Sequence, residues 1–304
     1  MERTVPPDHP GGVVPYGRRR GVGRALAPYL LSLPAGLWLL LLFVIPLAFM
    51  LSLSLKTCSP STGACVMTWH WGEIPSEVSL YHQEFITSLY FAAIATLIDL
   101  VISFPIAYWI AFYGGRRKNF FLLMLLVPFF VSFVIRTLVW EFILADNGVV
   151  LGTLKHIHLL PSGFHVLGTS YAVIAGLAYN YLPFTALPLY VALERIDRRV
   201  LEAAHDLYAT RRAGFMKVIM PLTVPGIFAA FLLTFIPMFG DYVNQQILGG
   251  TSNTMIGTVI QNQFLVNFDL AGGASLSAVL LVVALLGIYL YARLLGSRTI
   301  DQYL

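Results

Sequence analysis

The chain has 304 residues, of which 58% are hydrophobic and 11% charged, with a mean hydropathy of +0.76. A soluble domain carries about 25% charged residues, so this apolar excess excludes both a water-soluble globule and a disordered chain. Two cysteines exclude a disulfide-built secreted scaffold, which leaves a polytopic all-α integral membrane protein.

Residues 1–24, rich in Pro, Gly and Arg, read as a disordered basic tail whose end faces membrane lipid. Residues 25–55 carry no charged side chain and place a first span at about 29–53. That run exceeds a signal-peptide core of about 7–15 residues, and no small-residue cleavage site follows, so it is read as retained. Further apolar blocks at about 85–113, 120–144, 170–193, 225–247 and 273–294 bring the count to six spans within a membrane domain over 25–304. None alternates apolar and polar residues as membrane strands do.

Basic residues set the orientation. Sixteen of the nineteen Lys and Arg fall in the N-terminal tail, the loops after spans two and four, and the C-terminal tail. Only Lys56 and Lys155 fall on the opposite side, and Arg136 lies within a span. The positive-inside rule puts both termini in the cytoplasm of a cell membrane, and the net charge of +4 then needs no nucleic-acid partner.

The chain lacks a G-x-x-x-x-G-K-[ST] loop, an H-E-x-x-H or C-x-x-C spacing and a G-x-S-x-G elbow. It reads as a mover of solutes and not an enzyme. Its longest cytoplasmic loop, 194–224, contains a helix-periodic stretch in which Val200, Ala203, Ala204 and Leu207 form an apolar stripe beside Glu202, His205 and Asp206. Pro221 and Pro225 are expected to break the pattern before span five. Such a helix suits docking in a groove of another protein, with an interfacial helix on lipid as the other reading.

Glu202-Ala203-Ala204-x-Asp206-Leu207, followed by Phe215, Val218, Pro221 and Leu222, resembles the EAA loop of ABC importer permeases. The resemblance implies a type I importer permease fold and a coupling helix seated in an ATPase subunit, with Glu202, Ala203, Ala204, Asp206, Leu207, Tyr208 and Phe215 as coupling residues. Tyr208 stands where that family usually has glycine. The runs at 127–140, 180–197, 236–250 and 255–264 resemble spermidine/putrescine importer permeases of the first-permease type, over roughly residues 80–295. The implied partners are a second permease, an ATPase homodimer and an extracytoplasmic substrate-binding protein. ATP and Mg would be used by the ATPase, and this chain would bind no cofactor and no metal. Permeases for ferric iron, thiamine or phosphonate share parts of these motifs, and a proton-coupled carrier is the rival from another class.

Ionisable residues inside spans are functional candidates. At about 1.5 Å per residue, Asp99 lies ~21 Å from the cytoplasmic end of its span and Arg136 and Asp241 ~24 Å, with Glu141 about one turn further out. Asp99 and Arg136 are expected to form an intramembrane ion pair. Asp241, after Phe239-Gly240 and before Tyr242, has two readings: a substrate-path carboxylate for an organic polycation, with Tyr242, Glu141 and Trp140 beside it, or the cap of a half-helix. Cys58 and Cys65 are spaced for a small disulfide loop, with free thiols as the alternative. His156, His158 and His165 read as polar surface residues of an outer loop.

Overall fold

The computed structural model describes residues 32–58, 65–67, 72–161, 163–206, 208 and 210–300. The basic tail at 1–24 and Leu207 of the predicted stripe lie outside the described residues. The chain divides into two compact units, Met1–Phe49 and Met50–Leu304. In the first, the described residues are helical, the start of α1 (Ser32–Leu53), which includes a π-helical turn at Leu40–Val44.

The second unit continues with a short antiparallel hairpin, β1 (Lys56–Cys58) and β2 (Cys65–Met67), whose register sets Cys58 opposite Cys65. Then come α2 (Glu73–Leu80), α3 (His82–Tyr113), α4 (Lys118–Leu126), α5 (Phe133–Leu144), α6 (Val149–His156), α7 (Ser170–Glu194) and α8 (Arg198–Asp206). The last four are α9 (Arg212–Phe239), α10 (Val243–Leu248), α11 (Ile256–Leu265) and α12 (Leu270–Ile300). Among the described residues five helices are long and apolar enough to cross a membrane, namely α1, α3, α7, α9 and α12, and a bent pair makes a sixth if it counts as one span.

That pair, and not one continuous helix, occupies the third span expected at 120–144. Gly115–Phe130 and Phe133–His156 meet at 86°. Pro128, which has no N–H to donate, opens a 3₁₀ turn at Val127–Phe130, and Val131 and Ser132 then take extended backbone (ψ 140° and 138°). Span five is corrected at both ends. Pro221 and Pro225 do not break the helix, which begins at Arg212 and runs through both. A π-helical turn at Phe215–Ile219 falls where Pro221 cannot return a hydrogen bond, so the proline is absorbed. The helix then stops at Phe239, and Gly240–Tyr242 separates it from α10.

Three helices, α3, α7 and α9, form the packed centre of the second unit. Small residues let them approach closely: Ala92, Ala95, Ala107 and Ala111 on α3, Ala178 on α7 and Ala230 on α9 are buried. Toward one end Phe91, Leu177, Met238 and Phe239 fill the contact, and toward the other Leu189, Leu193 and Ile219 do so. The Ser88 hydroxyl of α3 accepts a 2.7 Å hydrogen bond from the Ile256 N–H and so ties the start of α11 to this centre.

Candidate functional site: a buried polar layer and an exposed helix

Where α9 ends, polar side chains from three helices meet inside an apolar bundle. Asp241 follows the break at Gly240 and is 6% exposed. Its Oδ1 accepts a 2.8 Å bond from the Asn244 N–H, and so satisfies a donor in the first turn of α10. Its Oδ2 accepts from the Tyr181 hydroxyl at 3.0 Å and from Asn244 Nδ2 at 3.1 Å. Asn244 Oδ1 in turn accepts from Asn180 Nδ2 at 2.9 Å, and the same nitrogen lies 3.0 Å from Thr137 Oγ1 on α5. Asn180, Asn244 and Thr137 are fully buried. The layer therefore fastens α5, α7 and α10 together at the level where spans three and five both lose helical continuity. Gly257 of α11 backs it closely: a Cβ there would fall 2.8 Å from the Gly240 carbonyl carbon and 3.0 Å from that of Asp241.

This geometry shows the cap, one of the two readings of Asp241. The carboxylate is not unpaired; it caps the half-helix α10, and both oxygens are engaged. Tyr242 beside it is 44% exposed. Trp140 packs edge-on against Tyr179 at 5.3 Å, and half-buried Glu141 follows it on α5.

The expected ion pair between Asp99 and Arg136 is not formed. Among the described residues no salt bridge joins them, because they face different neighbours. Asp99, fully buried on α3, meets the Thr185 hydroxyl of α7 at 3.4 Å through Oδ2, while its Oδ1 has no hydrogen-bond partner. Arg136 lies instead over the rings of Phe129 (4.7 Å) and Phe133 (5.7 Å), at the bend of the third span.

At the other end of α7 the chain turns through Ile196 and Asp197 into α8. The inward face of α8 is carried by Leu201, which packs with Ile196 and Phe215 against the Leu189–Leu193 cluster. Of the predicted stripe, Val200 and Ala203 point outward and are exposed, as are Glu202 and Asp206 beside it, and Ala204 is half-buried. Phe215, expected at the coupling surface, turns inward and packs edge-on against Phe104 and Tyr108 of α3, both at 5.9 Å. Tyr208 is 97% exposed with φ +58°, the left-handed conformation that glycine adopts without cost. The tyrosine thus keeps the turn that glycine would make. Between α7 and α9 an open cavity of about 820 Å³ runs from Phe184 to Arg195 and Asp197, with Pro188, Val191 and Leu233 on its walls.

The family model for binding-protein-dependent transport system inner membrane components matches residues 93–300, which takes in the polar layer and α8 together. The chain belongs to that family. It is 36% identical over 223 residues to the spermidine/putrescine transport system permease protein PotB of Escherichia coli K12, an alignment covering 73% of this chain and 80% of that one. The protein of that name in Haemophilus influenzae is 36% identical over 214 residues (70% and 75%). The inner membrane ABC transporter permease protein YdcU of E. coli K12 is 31% identical over 224 residues (69% and 70%). Among solved structures, a chain of a bacterial alginate ABC transporter bound to its periplasmic protein superposes with a TM-score of 0.62 at 19% identity, covering 90% of this chain and 94% of that one. A chain of the MetNI methionine ABC transporter gives 0.57 at 17% identity (72% and 96%). The fold is that of type I ABC importer permeases, and the family member works as a transport permease in a membrane, with ATPase and substrate-binding partners.

Several residues of the layer escape a reading that searches spans for formal charge. Thr137, Asn180, Tyr181 and Asn244 are neutral. The signal that finds them is any amide or hydroxyl within an apolar run, since such a group needs an internal partner.

Proposed function

We propose that this chain is the first-type permease subunit of an ATP-driven importer of spermidine and putrescine. It forms half of the pathway beside a second permease, with both termini in the cytoplasm. Support for the substrate is the likeness, over most of the chain, to relatives that carry the name spermidine/putrescine permease. Support for the coupling is the form of α8: Leu201 holds it to the bundle, while Glu202, Ala203, Asp206 and Tyr208 face out. That outward surface is the observation that carries the reading, because a helix anchored on one side and charged on the other can transmit a push from a docked ATPase to α7 and α9. A homodimeric ATPase would use the ATP and Mg, and this chain would bind neither.

The cavity between α7 and α9 is this chain's wall of the pathway. Tyr181, which bonds Asp241, packs against Phe184 at the cavity's end (ring centroids 6.1 Å), and Tyr242, Trp140 and Glu141 would line the rest of the path. A carboxylate beside the ring of Tyr181 suits an alkylammonium cargo through charge and cation–π attraction. Release of Oδ2 from Tyr181 would free an acceptor for it. The test is uptake by membrane vesicles holding the complete complex and binding protein. Labelled spermidine and putrescine should accumulate only with ATP present, and unlabelled thiamine, phosphonate or ferric iron should not compete. Accumulation driven by a proton gradient without ATP, or competition by one of those solutes, would overturn the reading.

A further inference from the structure

Arg136 is a buried guanidinium without a counter-ion among the described residues. The residue is 7% exposed, and its Nε and Nη1 have no hydrogen-bond partner. Among the described residues no carboxylate forms a salt bridge with it. The nearby acids are turned elsewhere: Asp99 to Thr185, Asp241 to Tyr181 and Asn244. Glu141 sits five positions along the same helix. Two phenyl faces offset part of the desolvation, but rings accept no strong hydrogen bonds, and a guanidinium cannot lose its proton to become neutral. A charge buried in this way is stable only when something pairs with it.

The surroundings say where that counter-charge comes from. Phe129, beneath the guanidinium, packs edge-on against Phe184 at 4.7 Å, and Phe184 lines the cavity between α7 and α9. Phe129 and Phe184 thus separate Arg136 from an open, largely apolar face on which Val191, Leu222 and Leu233 are 45%, 51% and 51% exposed. A subunit that covers that face packs on the rings over which the guanidinium lies. A polyamine cannot supply the missing charge, since it is itself cationic. The planar fork of donors matches a carboxylate.

We infer that Arg136 receives an Asp or Glu carboxylate from the second permease subunit, at the level of the break in the third span. The inference rests on the proposed assembly with a second permease. It gives Arg136 two roles: locking the register of the two subunits, and holding positive charge away from one side of the pathway so that a cationic cargo is directed to Asp241.

The test is recovery of the second permease with tagged wild-type and variant chains, expressed within the whole importer. Arg136→Met keeps the side chain's length and removes its charge. It should leave membrane insertion of this chain within twofold of wild type while lowering recovery of the second permease at least tenfold. Arg136→Glu should do the same, and Arg substituted for one Asp or Glu in the partner's spans should restore recovery to within threefold of wild type. Wild-type recovery by Arg136→Met, or loss in Arg136→Glu that no acidic position of the partner rescues, would overturn the inference alone. Failure of the wild-type chain to bring down any second permease would overturn the assembly itself, and the inference with it.

Discussion

At Asn180 and Asn244 the chain buries two amides completely and gives each a partner; at Glu202 and Tyr208 it leaves a carboxylate and a whole phenol ring in the open. The first arrangement is closed within the chain except at Asn180 Oδ1, which is buried with no hydrogen-bond partner. Helices α5, α7 and α10 are fastened by bonds of 2.8–3.1 Å that no partner needs to complete. The second is unfinished, because α8 has one anchored face and one free face. Stability and coupling should therefore separate by region: changes in the layer should unfold or misassemble the chain, and changes on α8 should leave it folded but idle.

The largest loss of stability is expected from Gly257→Ala. A methyl there meets the backbone at Gly240–Asp241, which has no flexible side chain to yield, and such overpacking costs about 3 kcal/mol. Thermal unfolding in detergent should show it as the steepest fall of the set. Next comes Asn180→Leu, which removes the donor bridging Thr137 and Asn244 and should cost ~2 kcal/mol by the same measurement.

Asp241→Asn sharpens the comparison. With a free substrate-path carboxylate the change would spare stability. With the observed bonds, an amide nitrogen at the Oδ2 position would face the Tyr181 hydroxyl and the Asn244 amide, both donors. The expected outcome is a loss of ~1–2 kcal/mol together with at least tenfold slower polyamine uptake. Normal unfolding with slow uptake would mean that the carboxylate serves transport alone.

On α8 the stability effects should be small or reversed. Tyr208→Gly releases a left-handed tyrosine and should stabilise the isolated chain by ~1 kcal/mol. Glu202→Lys should change the unfolding midpoint by less than about 0.5 kcal/mol while lowering ATPase recovery about tenfold, through charge reversal on an exposed docking face. A large destabilisation by either would erase the distinction between the two regions.

The two regions also differed in how far the sequence disclosed them. Apolar run lengths announced most of the spans, because a bilayer demands about 20 such residues whatever their order. The EAA run announced α8, because docking constrains neighbours in sequence. Which face of α8 points inward was hidden: Leu201 and Ala203 are both apolar, and only the cluster around Leu189 and Leu193 decides that the first is anchored. The ends of spans three and five were hidden too. Pro128 and Pro221 are both prolines in apolar runs, yet a 3₁₀ turn leads into a bend at one and a π turn absorbs the other. Similar depth suggests an Asp99–Arg136 pair, but depth along two helices says nothing of their rotation, and α7 supplies Thr185 to the acid. The polar layer needed three dimensions, since its members are separated by 43 to 107 positions across the helices they join.

Position-by-position crosslinking from α8 to the ATPase tests the central claim most directly. Single cysteines would be placed by Leu201→Cys, Glu202→Cys, Ala203→Cys and Tyr208→Cys in membranes holding the whole importer, with Cys58 and Cys65 replaced by serine. Capture of the ATPase from 202, 203 and 208, with little or none from 201, is the pattern that the anchored and free faces predict. Equal capture from 201, or none from the outward positions in a complex that still transports, would contradict it.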